Sequence, residues 1–333
     1  MTDPFIHPEK RKRLAFRALL AKDGLTVMPG GFSPMYAKIA ARAGFECFFV
    51  AGSQMSAFLL GVPDTGVIGL RDICDHARHV AARSDIPILL DADTGFGNAV
   101  NVHFSVQEIV RAGVAGMSIE DQEAPKKSGT SAGRRVISKE EMVGKLKAAV
   151  AARDAIDPDF VICARCDAIG AEGSSPQDAI ERCVAYARDG GADLVWLNSA
   201  KSLEQLQEFC QAVPAPVLMI WGGPPPGPDF AELEKTGLRI ALYPTLAASA
   251  GMQAAWHVLA DFNKRGVAAL TDWRKSIASH PFGALEFAEM TGYTGVRDLE
   301  AKYLPQEAQR DYDSTYGHVS PLGFGDGPDK AKR

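Results

Sequence analysis

Short apolar runs alternate with longer segments of helical periodicity along most of the chain. The apolar runs are nearly continuous, as expected of parallel strands that are buried on both faces. They predict eight strands, at residues 25–29, 47–51, 87–93, 116–121, 160–167, 194–198, 216–221 and 239–244. The segments between them repeat apolar residues at helical spacing, and several end in glycines that are typical helix stops.

A strand–helix unit repeated eight times predicts an α/β protein with a closed (β/α)8 TIM barrel. A doubly wound open sheet is the structural alternative, but it would normally carry a glycine-rich phosphate loop after its first strand. The corresponding segment, Met-Pro-Gly-Gly-Phe at 28–32, is not such a loop. We therefore expect a barrel domain over 1–265, additional helices over 266–303, and an arm or flexible tail over 304–333.

Residues 122–138, called the lid loop here, interrupt the repeat after the fourth predicted strand and are polar and rich in small residues. A loop of this length in a compact domain is either disordered or functional. Lys126 and Lys127 lie in it. They are either solvated side chains or cations that reach an anionic substrate when the loop closes and excludes water.

Composition and charge narrow the possible partners. The chain has 333 residues, of which 46% are hydrophobic, and a net charge of −5 without a basic stripe, which argues against a nucleic-acid partner. No apolar run reaches the roughly 18 residues of a membrane span, and the first residues lack the apolar segment of a signal peptide. Six scattered cysteines are typical of buried thiols in a reducing compartment, so we expect a cytoplasmic protein.

Acidic residues gather where the predicted strands end, which is the face where barrels carry their functional groups. Asp91 and Asp93 close the third predicted strand, Glu120 closes the fourth, and Asp64 follows the second. Carboxylates that converge on one mouth repel each other unless a cation lies between them, and such oxygen ligands favour Mg²⁺. The pattern predicts a Mg²⁺ site at Asp91, Asp93 and Glu120; the alternative is that these acids cap helices and turns.

Arg165 is a basic residue in the middle of an apolar predicted strand. A buried arginine must be paired. Its partner is either structural, as Asp167 or Glu120 would be, or a substrate carboxylate that the guanidinium grips with two hydrogen bonds. The sequence alone does not decide between these two roles.

Four segments carry motifs that match a known family in the same order. They read Leu-Leu-Asp-Ala-Asp-Thr-Gly-Phe-Gly-Asn at 89–98, Ile-Glu-Asp-Gln at 119–122, Pro-Lys-Lys-Ser-Gly at 125–129 and Ala-Arg-Cys-Asp-Ala at 164–168. In these segments the chain resembles the isocitrate lyase/phosphoenolpyruvate mutase superfamily. Two further segments, at 137–143 and 289–305, are most similar to the methylisocitrate lyase branch.

The resemblance implies a barrel whose last helix is swapped between the subunits of a homo-dimer or homo-tetramer. It implies Mg²⁺ or Mn²⁺ held near Asp91, Asp93 and Glu120, partly through water, and a small carboxylic acid as the substrate. It also implies that Arg165 binds a substrate carboxylate and that Lys126 is the lysine of the lid. Candidate substrate contacts are Gly52, Ser53, Asp64, Arg165, Asn198 and Trp221.

Departures from the family pattern affect the groups that would transfer protons. Lyases of this family carry a cysteine and a histidine in the lid, where this chain has Ser128 and Thr130. A hydroxyl is far less acidic than a thiol, so Ser128 is a candidate catalytic residue that cannot simply replace the cysteine. The family glutamate after the sixth strand is Asn198, and the serine of the second strand is Ala51.

These features predict a Mg²⁺-dependent lyase that cleaves a C–C bond in a small 2-hydroxy or 2-oxo carboxylic acid through a metal-bound enolate. The cleavage would be a retro-aldol reaction or a decarboxylation, with Arg165, Lys126, Ser128 and Glu120 as the catalytic candidates. One alternative is C–P chemistry of the phosphonopyruvate hydrolase or phosphoenolpyruvate mutase type. Another is a non-catalytic homologue that only binds a metabolite.

Overall fold

The computed structural model describes residues 8–280, 290–292 and 295–310. Eight parallel strands form a closed barrel in sequence order, and β1 completes the ring by pairing with β8. The strands are β1 (Thr26–Gly31), β2 (Phe48–Val50), β3 (Ile88–Asp91), β4 (Gly116–Glu120), β5 (Val161–Cys166), β6 (Leu194–Ala200), β7 (Val217–Trp221) and β8 (Ile240–Tyr243). The predicted TIM barrel is confirmed, and each strand overlaps a predicted apolar run.

Helices connect the strands. In the described residues they are α1 (Pro8–Ala21), α2 (Pro34–Arg42), α3 (Gly52–Met55), α4 (Leu70–Arg83), α5 (Ala99–Arg111), α6 (Lys139–Ile156), α7 (Pro176–Arg188), α8 (Leu203–Ala212), α9 (Phe230–Lys235), α10 (Leu246–Arg265), α11 (Val267–Ile277) and α12 (Val296–Tyr303). Side-chain caps fix where many of them begin. The Ser175 hydroxyl, for example, accepts a hydrogen bond from the backbone N–H of Asp178 at the start of α7.

Side chains along each strand alternate between two apolar clusters. The cluster inside the barrel contains Phe49, Leu89 and Trp196, and three residues of α1 close its lower end. The cluster between the barrel and its helices takes the neighbouring strand positions and the inner faces of the helices. Because the period of a strand is two residues, this alternation also decides which polar side chain enters the mouth of the barrel and which one faces the helices.

The chain separates into two compact units, Met1–Ala250 and Gly251–Arg333. The division falls within α10, whereas the sequence predicted a boundary at 265, after the end of this helix. The additional helices predicted over 266–303 are present as α11 and α12 in the described residues, and residues 311–333 of the predicted tail lie outside them.

Two further findings concern the predicted cellular setting. In the described part of the chain, no helix combines the length and the apolar character that crossing a membrane requires. All six cysteines are free thiols, and five of them are buried.

Replacing Leu146 by Ala tests the packing of the outer cluster. Leu146 on α6 is fully buried and lies against the turn at Gly190. The cavity left by the substitution should lower the free energy of unfolding by about 2–5 kcal/mol in urea denaturation. The matched control is Leu14→Ala on α1, where the side chain is 39% exposed and the loss should stay below about 1 kcal/mol. Equal losses in the two variants would contradict the assignment of Leu146 to a core.

Candidate active site

Polar side chains from several strands meet at the carboxyl end of the barrel, as expected of this fold. Asp91 and Arg165 occupy strand positions in phase with Leu89 and Cys163 of the interior cluster, and Glu120 is the register partner of Arg165, so all three face the mouth. Asp121 follows Glu120 by one residue and therefore faces outward, where its carboxylate accepts a hydrogen bond of 2.7 Å from the Tyr186 hydroxyl. Two acids that are neighbours in sequence thus face opposite sides of the barrel wall, Glu120 towards the mouth and Asp121 towards the helices.

Lys126 of the lid loop forms the first charged cluster of the mouth. Its ammonium group lies 2.6 Å from Asp64 Oδ1 and 2.7 Å from Asp93 Oδ1, and the residue is 4% exposed. Although burial disfavours the charge, the nearby carboxylates, Glu120 foremost, raise the pKa of Lys126 above its ordinary value. Lys126 is therefore a permanent cation that connects the lid loop to the strand ends.

Gly52 supports the carboxylates of the third strand. Its backbone N–H donates to Asp91 Oδ2 at 3.1 Å. A Cβ atom on Gly52 would lie 3.1 Å from Asp91 Oδ2 and 3.4 Å from Asp93 Oδ1, so both carboxylates converge on this glycine. Asp93 adopts φ 48°, a left-handed conformation that is unusual for a side-chain-bearing residue and that turns the chain directly after β3.

Arg165 forms the second charged cluster. Its guanidinium forms ion pairs with Glu120 Oε2 at 3.1 Å from Nη1 and with Asp167 Oδ2 at 2.7 Å from Nε, and Nη2 donates a hydrogen bond to Asp167 Oδ1 at 3.1 Å. The Trp196 ring lies under it, with 4.5 Å between Cζ and the ring centroid. Both structural partners proposed from the sequence are therefore present, and the guanidinium stands fixed at the mouth.

Asp167 accepts hydrogen bonds from two more side chains. Asn198 Nδ2 donates to Oδ1 at 2.6 Å, and Arg134 Nη1 donates to the same oxygen at 3.2 Å. Burial opposes the charge, but the two guanidinium groups hold the pKa of Asp167 below its ordinary value. The backbone is fixed as well, because Asp167 N donates to Asp121 Oδ1 at 2.8 Å.

The lid loop packs over these clusters. At its base, Gln122 pairs with Val136 in an antiparallel bridge, and the Gln122 side chain exchanges two hydrogen bonds with the Lys127 backbone. At its tip, the Gly129 carbonyl accepts from Asn198 Nδ2 at 2.9 Å and from Arg134 Nη1. Ser128 is half-buried beside this tip, and its hydroxyl lies 3.4 Å from that of Thr130.

Negative charge exceeds positive charge at the mouth. The described residues bring together five carboxylates (Asp64, Asp91, Asp93, Glu120 and Asp167) and three cationic side chains (Lys126, Arg134 and Arg165). Burial, reinforced by Asp91, raises the pKa of Asp93 to about 6, and burial raises the pKa of Glu120 well above its ordinary value despite Arg165. Counted with every side chain ionised, the formal excess is two negative charges.

The predicted metal ligands only partly satisfy the requirements of a direct site. Among the described residues, no group of three or more His, Cys, Asp or Glu side chains is placed to hold a metal ion by itself. Glu120 Oε1 is nevertheless buried without a hydrogen-bond partner. Asp91 and Asp93 converge on Gly52, at the point where any other residue would carry its Cβ. This donor set suits a hard cation that keeps part of its water shell, as Mg²⁺ does.

The structure brings most of the predicted site residues together but places Trp221 elsewhere. Trp221 is in phase with the outward-facing residues of β7, packs against the outer cluster, and lies under its own loop beside Gly223 and Gly227. The interior position on this strand is Ile220. The proposed substrate contact at Trp221 is therefore not supported by its position, whereas Ser53 and Asp64 lie half-buried near the mouth.

Sequence reasoning missed Arg134. It stands in a polar loop beside a second arginine, where nothing in the composition separates a buried residue from an exposed one. The only available signal was the two-residue alternation of an extended chain. Next to the bridge between Gln122 and Val136, neighbouring residues such as Arg134 and Arg135 face opposite sides. In the structure Arg134 is 5% exposed, whereas the Arg135 side chain is 66% exposed and pairs with Glu172.

Comparisons with known proteins match nearly the whole barrel. A family model described as phosphoenolpyruvate phosphomutase matches residues 16–262. 2,3-Dimethylmalate lyase of Eubacterium barkeri is 37% identical over 292 residues, which are 86% of this chain and 96% of that protein. 2-Methylisocitrate lyase of Aeropyrum pernix is 35% identical over 297 residues, covering 89% and 92%. A phosphonopyruvate hydrolase structure in complex with oxalate and Mg²⁺ has a TM-score of 0.76 and 31% identity, covering 88% of this chain and 99% of that one.

Replacing Asp121 by Asn tests the electrostatic cost of the outward-facing carboxylate. Burial, reinforced by Asp167, raises the pKa of Asp121 from 3.8 to about 6. Between these values the unfolded chain releases the proton first, so the contribution of Asp121 to stability falls as the pH rises. The free energy of unfolding of the Asn variant, measured relative to wild type by urea denaturation, should therefore rise by on the order of 3 kcal/mol between pH 4 and pH 7.

The control for this prediction is Asp154→Asn, whose side chain is 54% exposed and which should follow the wild-type pH profile. Parallel profiles for the Asp121 variant and the wild type would show that the Asp121 carboxylate is not destabilised by burial.

Proposed function

The chain belongs to the isocitrate lyase/phosphoenolpyruvate mutase superfamily, and from this membership we propose that it is a Mg²⁺-dependent lyase of a small 2-hydroxy or 2-oxo carboxylic acid. The predicted superfamily is thereby confirmed, and the relatives named as lyases bear out the predicted enzyme class. The observation that carries the proposal is that a firmly held Arg165 and a surplus of carboxylates occur together at one mouth. The lid loop covers both of them.

A divalent cation accounts for the uncompensated charge. Asp91, Asp93 and Glu120 would hold it, in part through water, because they supply the convergent and unpartnered oxygens of the mouth. The phosphonopyruvate hydrolase structure, with Mg²⁺ in its complex, supports Mg²⁺, and Mn²⁺ offers similar octahedral oxygen coordination. When bound, such a cation polarises the oxygen at C2 of the substrate and stabilises the enolate charge that cleavage creates.

Arg165 suits the recognition of a substrate carboxylate. Nη2 donates to Asp167 Oδ1, whereas Nη1 and Nε lie at ion-pair distance from Glu120 and Asp167. The N–H groups of Nη1 therefore remain for a ligand. The rigid pairing keeps this fork in place before a substrate arrives, which reduces the entropy lost on binding. Asn198, whose amide reaches Asp167, and the half-buried Ser53, which follows Gly52 in the chain, are the further candidates for contacts with the substrate oxygens.

Lys126 and Ser128 are the chain's own groups for the proton steps. Lys126 remains an ammonium ion between Asp64 and Asp93, so it stabilises negative charge and holds its proton rather than removing one. The Ser128 hydroxyl is a weak acid and can donate a hydrogen bond to a substrate oxygen. These properties favour decarboxylation or retro-aldol cleavage in which water or the product enolate completes the proton transfer.

C–P chemistry is the second candidate. The lid loop carries Ser128 in place of the cysteine typical of the lyases, and Asn198 is followed by Ser199, a pair that leans toward the phosphonate-handling branch. The chain is also 31% identical to the phosphonopyruvate hydrolase structure, which supports this candidate. A third, non-catalytic candidate would bind the acid without turnover, but it leaves the cost of clustered buried charges without a function.

A substrate panel decides between these candidates. Purified protein is incubated with oxaloacetate, 2-methylisocitrate, isocitrate, dimethylmalate or phosphonopyruvate, with Mg²⁺ or with EDTA, and the products are followed by NMR. EDTA-sensitive cleavage of a carboxylic acid supports the proposed lyase. Turnover of phosphonopyruvate alone moves the protein to the second candidate, and the absence of turnover with every acid counts against a lyase of these substrates.

Arg165→Lys tests the role of the guanidinium. Lysine keeps the positive charge between Glu120 and Asp167 but loses the two-pronged geometry, so kcat/KM for the preferred acid should fall by about 100-fold or more. The control is Arg188→Lys, whose side chain is 68% exposed and pairs only with its neighbour Asp189. Unchanged kinetics in the Arg165 variant would exclude this arginine from substrate binding.

A homo-oligomer is the proposed state of the enzyme in the cytoplasm, where the free buried thiols would stay reduced. Large apolar side chains recur along one face of α10 at spacings of three and four residues and are exposed in the single chain. They are Met252, Trp256, Leu259 and Phe262. An exposed apolar stripe of this kind is typical of a subunit interface.

Leu259→Glu tests this interface. The charge should prevent a second subunit from covering the stripe, so light scattering after gel filtration should show a shift from an oligomer to the monomer mass of 35.6 kDa. Lys264→Glu, also an exposed charge change on α10, should keep the wild-type mass. A wild-type protein that is already monomeric would overturn the proposal.

A further inference from the structure

Arg134 is buried in an otherwise exposed stretch of the lid loop. Residues 131–133 and Arg135 are exposed, whereas Arg134 is 5% exposed. Its backbone is held at the rim, because its carbonyl accepts from Glu172 N at 2.9 Å. The side chain is therefore directed inward from a fixed point, which is not the usual behaviour of an arginine in a polar loop.

The Arg134 guanidinium joins the lid loop to the segment that follows β5. It donates to the Ile169 carbonyl after β5 at 2.7 Å, to Asp167 Oδ1 at 3.2 Å, and to the Gly129 carbonyl at the tip of the lid loop. Two of these partners belong to the barrel and one to the lid. A single planar group thus connects the tip of the lid loop to the carboxylate that fixes Arg165.

Gly129 docks directly on the substrate-facing arginine. A Cβ at this position would collide with Arg165 Nη2 and would lie 2.9 Å from Asn198 Nδ2, so only glycine allows the approach. The docked backbone is retained by two donors, Asn198 and Arg134, and both of them also hold Asp167. The closure of the lid loop and the orientation of Arg165 consequently depend on the same two side chains.

We propose that Arg134 is a positioning residue that latches the lid loop shut over Arg165 through its shared hydrogen bonds to Gly129 and Asp167. With the latch made, the tip excludes water from the guanidinium that receives the substrate carboxylate, which strengthens that interaction. With the latch broken, Asp167 still holds Arg165, but the loop loses its only charged contact at the tip among the described residues. The kinetic part of this proposal rests on the proposed lyase function, whereas the latch itself does not.

Hydrogen–deuterium exchange of the lid amides measures the latch without substrate or metal. In Arg134→Gln, exchange over 127–133 should accelerate by about tenfold or more, the effect of losing one charge-assisted hydrogen bond from the closed state. Gly129→Ala should accelerate the same amides, because its Cβ prevents docking while Arg134 stays intact. Arg135→Gln is the matched control and should exchange like the wild type, since its exposed side chain pairs only with Glu172.

Arg134→Lys keeps the experiment decisive if the Gln variant does not fold. One ammonium group can reach a single acceptor at good geometry but cannot span all three, so its exchange rate should lie between wild type and Arg134→Gln. Wild-type exchange in a folded Arg134 variant, together with fast exchange in Gly129→Ala, would overturn the latch. Fast exchange in Arg135→Gln as well would show a general loosening of the loop instead.

Kinetics with the preferred acid separate positioning from a purely structural role. If closure is weakened, KM should rise several-fold in Arg134→Gln with a smaller fall in kcat, and Arg134→Lys should recover part of the loss. A structural role alone would lower the melting temperature and leave KM unchanged. Absence of turnover in the wild type would count against the proposed lyase, while the exchange results would still decide the latch.

Discussion

The crowding of negative charge at the carboxyl end of the barrel is the constraint on which the rest of the site depends. Five carboxylates share a buried mouth with three cationic side chains; Lys126 and Arg165 each pair with two acids, and Arg134 pairs with Asp167. Buried charges are tolerated only when they are paired and hydrogen-bonded. The positions of Lys126, Arg134 and Arg165 therefore follow from the acids, and the formal excess of negative charge is the basis on which a divalent cation is proposed.

Asp167 links the charged mouth to the packed layer between the barrel and its helices. Its carboxylate faces the mouth and binds Arg165, while its backbone N–H is tied to Asp121, which faces the helices and is held by Tyr186. The same residue thus transmits the rigidity of the packed outer layer to the guanidinium at the mouth. A site built on strand ends gains this precision because neighbouring positions of one strand enter different layers.

The sequence predicted the barrel, all eight strands and the acids at their ends because these features depend on local rules. Continuous apolar runs indicate buried parallel strands, and acids at strand ends indicate the mouth. It did not predict the positions of Arg134 or Trp221. Arg134 is buried through a lid fold that depends on distant partners, and Trp221 faces outward because of a register that an apolar run without alternation does not reveal. The boundary within α10 also depends on tertiary contacts rather than on local pattern.

Besides Ala51, the departures from the family pattern are Ser128 and Thr130 of the lid loop and Asn198, and the structure places Asn198 against Gly129, which lies between the two lid positions. Asn198 donates to the Gly129 carbonyl and to Asp167 with the same amide nitrogen. A carboxylate in its place could donate to neither acceptor and would add a sixth negative charge to the mouth. Asn198 therefore supplies a donor that holds the tip of the lid loop, which a carboxylate at this position could not do.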